Sequence, residues 1–263
     1  MASSGSSSSA ASGSSDAASP PDGESFPAQE ARFRVELAGW RLTGADAAET
    51  LCCLSDLGDV LFKQGKYAEA ESVCREELAA RQRTAGPDAA AETLSCLLNL
   101  GVALSWQNKY VEAEAVLREE LAGRQRTAGS DAAETLLCLR NLGFALFSQE
   151  KYAEAEAVLR EELAGRRRTA GPDAAETLLC LGNLGAALFK QSKPAEAESV
   201  HREELAGRQR TVGPDSPETL LCLGNLGAAL SGQGKYAEAE SVRREELAGS
   251  VRPALMRRRR LPV

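Results

Sequence analysis

His201 is the only histidine in a chain of 263 residues, and imidazole is the side chain whose ordinary pKa suits it to proton transfer near neutrality. A general base needs a nucleophile and an orienting group around it. The sequence contains no G-x-S-x-G elbow and no G-x-x-x-x-G-K-[ST] phosphate loop. In equivalent stretches elsewhere the position of His201 is taken by Cys74, Leu117, Leu159 or Arg243, so it reads as a partly buried packing or surface residue. Carboxylates are abundant, but each Glu-Glu pair recurs on what reads as a solvated helix exterior. No catalytic residue is assigned, and the chain is read as not an enzyme.

The seven cysteines raise the possibility of a metal or disulfide framework. Five of them, Cys53, Cys96, Cys138, Cys180 and Cys222, recur at one position per block. Zinc ligands are instead bunched at short spacings. The five read as replicated packing residues, with Cys52 and Cys53 on different helix faces. No metal site and no cofactor is expected, and reduced thiols suit a cytoplasmic compartment.

The spacing that disqualifies the cysteines reveals the architecture. Thr50, Thr93, Thr135, Thr177 and Thr219 stand 43, 42, 42 and 42 residues apart. Self-similarity at such a period marks a solenoid, in which each unit buries its apolar face only by stacking on its neighbours. Each block reads as two helices. In the first, Leu178, Leu181, Leu184, Gly185 and Leu188 form an apolar stripe at spacings of three and four. The second runs from about Pro194 to Arg210, with Ala197, Val200 and Leu205 inward and Glu and Arg largely outward.

Punctuation agrees with that division. Asp173 and Glu176 have the form of a capping box, as do Asp46/Glu49, Asp131/Glu134 and Asp215/Glu218. An extra Ala breaks the pattern between Asp88 and Glu92. Within a block the turn is Gln-x-Lys-Tyr, with Gly65, Asn108 or Gly234 where a left-handed residue is expected. Between blocks it is Gly-Pro-Asp or a close variant. Neither turn suggests a strand, and the fold class is all-α.

The strings NLGAALFKQSKPAEAESV and NLGAALSGQGKYAEAESV resemble tetratricopeptide repeats, and the 42-residue period, the Asn before Leu-Gly and the closing Gly-Pro-Asp resemble the subtype of kinesin light chains and nephrocystin-3-like proteins. The resemblance covers roughly residues 45 to 249 and implies a right-handed superhelical solenoid of helical hairpins. One departure stands out: Glu77, Glu120, Glu162, Glu204 and Glu246 occupy the position where the family carries a small residue, which implies a rotated or looser second helix. The heptad coiled coil that precedes kinesin-light-chain repeats has no counterpart in the Ser/Ala/Gly-rich lead.

The expected organisation is a disordered lead at 1–25, an orphan capping helix at 26–45, five hairpins at 46–250 and a basic disordered tail at 251–263. The lead has no apolar core after a basic start, unlike a secretory signal. A plastid transit peptide is a lesser alternative, because acidic residues precede Arg32. The four consecutive arginines Arg257 to Arg260 read as a solvated tail ahead of a nuclear-localisation or polyanion-binding patch. A net charge of -7 argues against nucleic acid as the main ligand. No run approaches the length needed to span a bilayer.

The resemblance further implies that the first helices line a concave groove that binds a peptide segment of a protein partner. By position the groove residues are Asn99, Asn141, Asn183 and Asn225 with Asp56 in the first block, then Val102 and Phe144, then Lys63, Trp106 and Lys190. Ser55 and Arg140 flank them. An amide both donates and accepts, and so can hold an extended backbone whatever its side chains. The expected function is a non-catalytic scaffold or adaptor. The alternatives are a structural subunit acting by stacking or self-association, and a kinesin-light-chain-like cargo adaptor.

Overall fold

The computed structural model describes residues 25–43, 47–84 and 90–258. Among them are eleven helices and no strand. A leading helix, α1 (Phe26–Thr43), precedes five hairpins: α2 (Ala47–Lys63) with α3 (Tyr67–Thr84), α4 (Ala90–Trp106) with α5 (Tyr110–Thr127), α6 (Ala133–Ser148) with α7 (Tyr152–Thr169), α8 (Ala175–Lys190) with α9 (Pro194–Thr211), and α10 (Pro217–Gly232) with α11 (Tyr236–Arg258). Every helix packs on the next in sequence, and consecutive first helices also touch, α2 with α4, α4 with α6 and α8 with α10. The lead at 1–24 and the tail beyond Arg258 lie outside the described residues. The backbone of 251–258 is helical, where the sequence suggested a tail.

Leucines at helical spacing build the core. Leu57, Leu100, Leu142, Leu184 and Leu226 are all buried, as are Leu178, Leu181 and Leu188 of the α8 stripe. In four of the five hairpins the two helices meet at a glycine of the second helix, Gly123, Gly165, Gly207 or Gly249, and Ala80 stands at that position in the first. A Cβ on Gly207 of α9 would lie 2.3 Å from Leu178 of α8, and one on Gly165 of α7 would lie 2.4 Å from Leu136 of α6. The small residue of the second helix is therefore this glycine, three positions after the glutamate.

The glutamates overturn two expectations. Glu77, Glu120, Glu162 and Glu204 are buried, and each pairs with the arginine one turn on, Glu120 with Arg124 and Glu162 with Arg166 both at 2.6 Å. The second helix is not loosened; it turns this carboxylate into the layer between hairpins. The next first helix supplies the thiol column there: Cys96, Cys138, Cys180 and Cys222 donate to the carbonyls of Cys74, Leu117, Leu159 and His201. Burial pushes the carboxyls of Glu77, Glu120 and Glu162 above their ordinary range, against the pull of their arginines. One oxygen each of Glu120 and Glu162 lacks a hydrogen-bond partner, so these pairs set register more than they add stability.

The Gln-x-Lys turn joins each hairpin to the element before it. Gln149 Nε2 donates to Glu114 of α5 at 2.8 Å and to the Tyr110 carbonyl at 3.1 Å, while Lys151 Nζ meets the same carboxylate at 2.7 Å. The arrangement recurs as Gln107 and Lys109 on Glu71, Gln191 and Lys193 on Glu156, and Gln233 and Lys235 on Glu198. At the start of the array Gln64 and Lys66 hold Glu30 of α1 in the same way, so α1 occupies the place of a second helix. Donors from Lys66 bring Glu30 down to about 2, and those from Lys235 do so for Glu198. At Glu156 burial opposes the charge, yet Lys193, Gln191 and Arg160 outweigh it and hold the carboxyl at about 2.

The turns carry left-handed residues where expected, at Gly65, Asn108 and Gly234, and also at Glu150 and Ser192. Asp46 of the first capping box lies outside the described residues, and those read at Asp131, Asp173 and Asp215 do not form. Ala132 and Ala174 sit at the N-caps of α6 and α8 with no side-chain cap, and Ser216 caps α10 through the Thr219 amide. Asp131 and Asp173 instead pair with Arg168 and Arg210 at the far end of their own hairpins, both at 2.5 Å. The repeated threonine does the local work: buried Thr135, Thr177 and Thr219 donate to the carbonyls of Gly129, Gly171 and Gly213 at 2.7–2.8 Å.

Candidate peptide-binding face

Because first helices touch their first-helix neighbours, they form the tighter side of the array, and residues at steps of three and four along them share that side. Two adjoining cavities open on it. One of about 280 Å³ is lined by residues that include Asp59, Phe62, Leu98, Asn99, Arg140 and Asn141. The other, of about 260 Å³, takes in Val102, Trp106, Arg140, Asn141, Phe144 and Asn183. Of the residues singled out from the sequence, Asn99, Asn141, Asn183, Arg140, Trp106 and Phe144 therefore converge. Lys63, Lys190 and Asn225 line neither cavity, and both lysines are exposed.

The two aromatics are exposed by 60% at Trp106 and 54% at Phe144, yet each is held from behind. Trp106 stacks on Tyr67 with ring centroids 5.4 Å apart, and Tyr110 meets Phe144 edge-on at 6.1 Å. Each ring is braced by a tyrosine while more than half of the residue stays exposed, the arrangement of an anchor whose ordering entropy is already spent.

The polar groups divide along the face. Asn99 Nδ2 donates to Asp59 at 3.4 Å, whereas the side chains of Asn141 and Asn183 make no hydrogen bond with any described residue. Arg140 belongs to both cavities, is half-buried, and forms no hydrogen bond or ion pair with a described residue. Toward α2 the sign reverses: burial raises the carboxyls of Asp56 and Asp59.

The repeat profile described as "Tetratricopeptide repeat" matches in four overlapping stretches, residues 46–126, 91–168, 131–210 and 173–248. The chain belongs to the tetratricopeptide-repeat family. Solved tetratricopeptide folds agree. BtubC (BKLC) from P. vanneervenii superposes with a TM-score of 0.70 at 21% identity, over 88% of this chain and 92% of that one. Nearly identical TPR-like repeats assigned to a Podosopora anserina kinesin light chain give 0.69 at 19% identity, over 77% and 96%. The apo form of RapI gives 0.71 at 12% identity, over 86% of this chain and 59% of that one. A search of curated proteins finds no match.

Sequence reasoning missed one buried grouping between the fourth and fifth hairpins of this tetratricopeptide array. His201, far from a surface position, is 2% exposed, and its Nδ1 lies 3.1 Å from Glu204 Oε2 beside Cys222. The signal was present in the alignment of blocks: His201 replaces Leu117 and Leu159 at the position facing the cysteine column one hairpin on.

Proposed function

We propose that the chain is a non-catalytic interaction scaffold that captures an extended peptide segment of a partner protein along its first-helix face. The observation that carries this reading is the convergence, in two adjoining cavities, of two asparagine amides and an arginine that make no hydrogen bond or ion pair with any described residue, together with two half-fixed aromatic rings. Amides at one-repeat intervals suit a main chain, rings anchor side chains, and Arg140 favours a segment bearing a carboxylate. A cytoplasmic setting fits the buried free thiols, and no helix among the described residues is long and apolar enough to cross a membrane.

The test is peptide-array capture followed by titration with a selected peptide. Asn141→Ala with Asn183→Ala should weaken binding by about 2 to 4 kcal/mol through lost hydrogen bonds to a desolvated backbone, with helicity intact. Gln at Glu161 and Glu203, which are exposed, should change little. The opposite pattern would move the working surface to the second helices.

A further inference from the structure

The fourth hairpin differs from its neighbours in one buried layer. Where the second and third hairpins place Leu117 and Leu159 beside Glu120/Cys138 and Glu162/Cys180, the fourth places His201 beside Glu204 and Cys222. The three side chains are 2%, 3% and 1% exposed. One potential ligand atom from each lies within 4.8 Å of the other two. His201 Nδ1 is 3.1 Å from Glu204 Oε2, and the Cys222 thiol lies against the His201 carbonyl at 3.4 Å.

We propose that His201, Glu204 and Cys222 form a binding site for a borderline-soft divalent cation, zinc in the first instance. The donor set selects it. One imidazole, one carboxylate and one thiolate are the three ligand types that zinc accepts, and three protein ligands leave one position for water. Magnesium and calcium require oxygen sets, and copper(I) favours softer donors than a carboxylate.

The surroundings prepare this arrangement. Arg208 Nε donates to Glu204 Oε1 at 2.7 Å, so the other oxygen is the one turned toward His201. Two glycines of α8 give the triad its room: a Cβ on Gly185 would lie 2.5 Å from the imidazole, and one on Gly182 would lie 3.0 Å from Glu204 Oε1. Gly182 stands where α6 has Arg140 and α4 has Leu98. No side chain at that position covers the carboxylate, which leaves a way in from the first-helix side.

Zinc is bound by the thiolate, so the cation takes the place of the Cys222 proton. Binding releases that proton to solvent. Affinity therefore rises with pH. The fold does not depend on the ion, because the second and third hairpins close the same layer with leucine.

Cobalt(II) titration of the full chain, in a non-thiol reductant, tests the site. The expected result is a 1:1 complex with a thiolate-to-cobalt band in the near ultraviolet and tetrahedral visible bands, displaced by zinc. His201→Leu, which installs the residue of the neighbouring hairpins, should weaken binding by at least about tenfold with unchanged helicity. Cys222→Ser should remove the charge-transfer band, and Cys52→Ser should leave it. Absence of the band at one equivalent, or cobalt binding by His201→Leu equal to that of the unaltered chain, overturns the proposal. Neither result bears on peptide capture at the first-helix face.

Discussion

The side-chain amide of Gln191, in the turn of the fourth hairpin, donates to the carboxylate of Glu156 in the third at 2.8 Å and to the Tyr152 carbonyl at 3.0 Å. One residue from the succeeding block thereby reaches both a half-buried acid and a carbonyl in the first turn of α7. Gln191→Ala takes one donor from each, while Lys193 and Arg160 stay on Glu156, and should lower stability by about 0.5 to 1.5 kcal/mol. Urea midpoints of the two proteins measure this. An unchanged midpoint would mean that Lys193 alone holds the junction.

Acid should loosen the array at these same junctions. Glu30, Glu156 and Glu198 are held at about 2 against an ordinary 4.5, so their stabilisation is fully present above 4.5 and disappears as pH falls from there toward 2. Glu77, Glu120 and Glu162 act in the opposite sense: their raised carboxyls bind protons more readily when folded and so favour the folded state as pH falls. The urea midpoint should drop between pH 4.5 and 2.5, and Glu156→Gln should flatten that drop. A Glu156→Gln slope identical to that of the unaltered chain would assign the acid sensitivity elsewhere.

The glycines of the first helices should respond unequally to added volume. At Gly185 a Cβ collides with the His201 ring at 2.5 Å, while at Gly58 the nearest atom, Cys74 Sγ, is 3.7 Å away. Gly185→Leu should destabilise by at least about 1 to 3 kcal/mol, whereas Gly58→Ala should be neutral or gain about 0.5 to 1 kcal/mol from helix propensity. Thermal or urea melts rank the three proteins, and equal midpoints would contradict the close helix approach at Gly185.

Thiol chemistry should single out Cys52. It is the exposed cysteine among seven, while burial lifts Cys53 to about 11 and Cys74 to about 12 and raises the other four as well. A thiol reagent at pH 8 should label one group rapidly and the remainder only in denaturant. Circular dichroism should be unchanged by EDTA with excess reductant. Rapid labelling of more than one thiol, or loss of helicity, would show the packed layers to be open.

Trp106 offers a direct report on the first-helix face. With Trp40→Phe it becomes the sole tryptophan, exposed on one side and stacked on Tyr67 on the other. A bound peptide should shift its emission to the blue, and Trp106→Ala with Phe144→Ala should reduce affinity by about 2 kcal/mol or more. Tight binding with unaltered emission would place the ligand elsewhere.

The hairpins, their turns and the leucine ladder were legible because each was written several times at one period, and burial of one copy implied burial of all. The glutamates were misread for a physical reason. A Glu followed one turn later by Arg is also how a solvated helix face looks, and the Cys180 that meets Glu162 lies on a helix that starts the next hairpin. Asp173 was misread similarly: its spacing to Glu176 fits a cap, but its partner Arg210 lies at the other end of the hairpin. Asn141 and Asn183 could be placed on one face by counting, whereas the lack of an ion pair between Arg140 and any described residue emerged only in three dimensions. His201 was legible as an exception and was discounted for being a single one.

The junction chemistry also has a direction. Each block offers a carboxylate to its successor and an amide and ammonium to its predecessor, as Glu114 does to Gln149 and Lys151, and Glu156 to Gln191 and Lys193. Splicing in or cutting out whole blocks leaves a matched pair at the seam, while a cut of part of a block takes the acid out of register with its amide and ammonium. An ancestral gene built on this scheme can lengthen or shorten by recombination between its own copies, and each viable product differs from its parent by a multiple of one repeat.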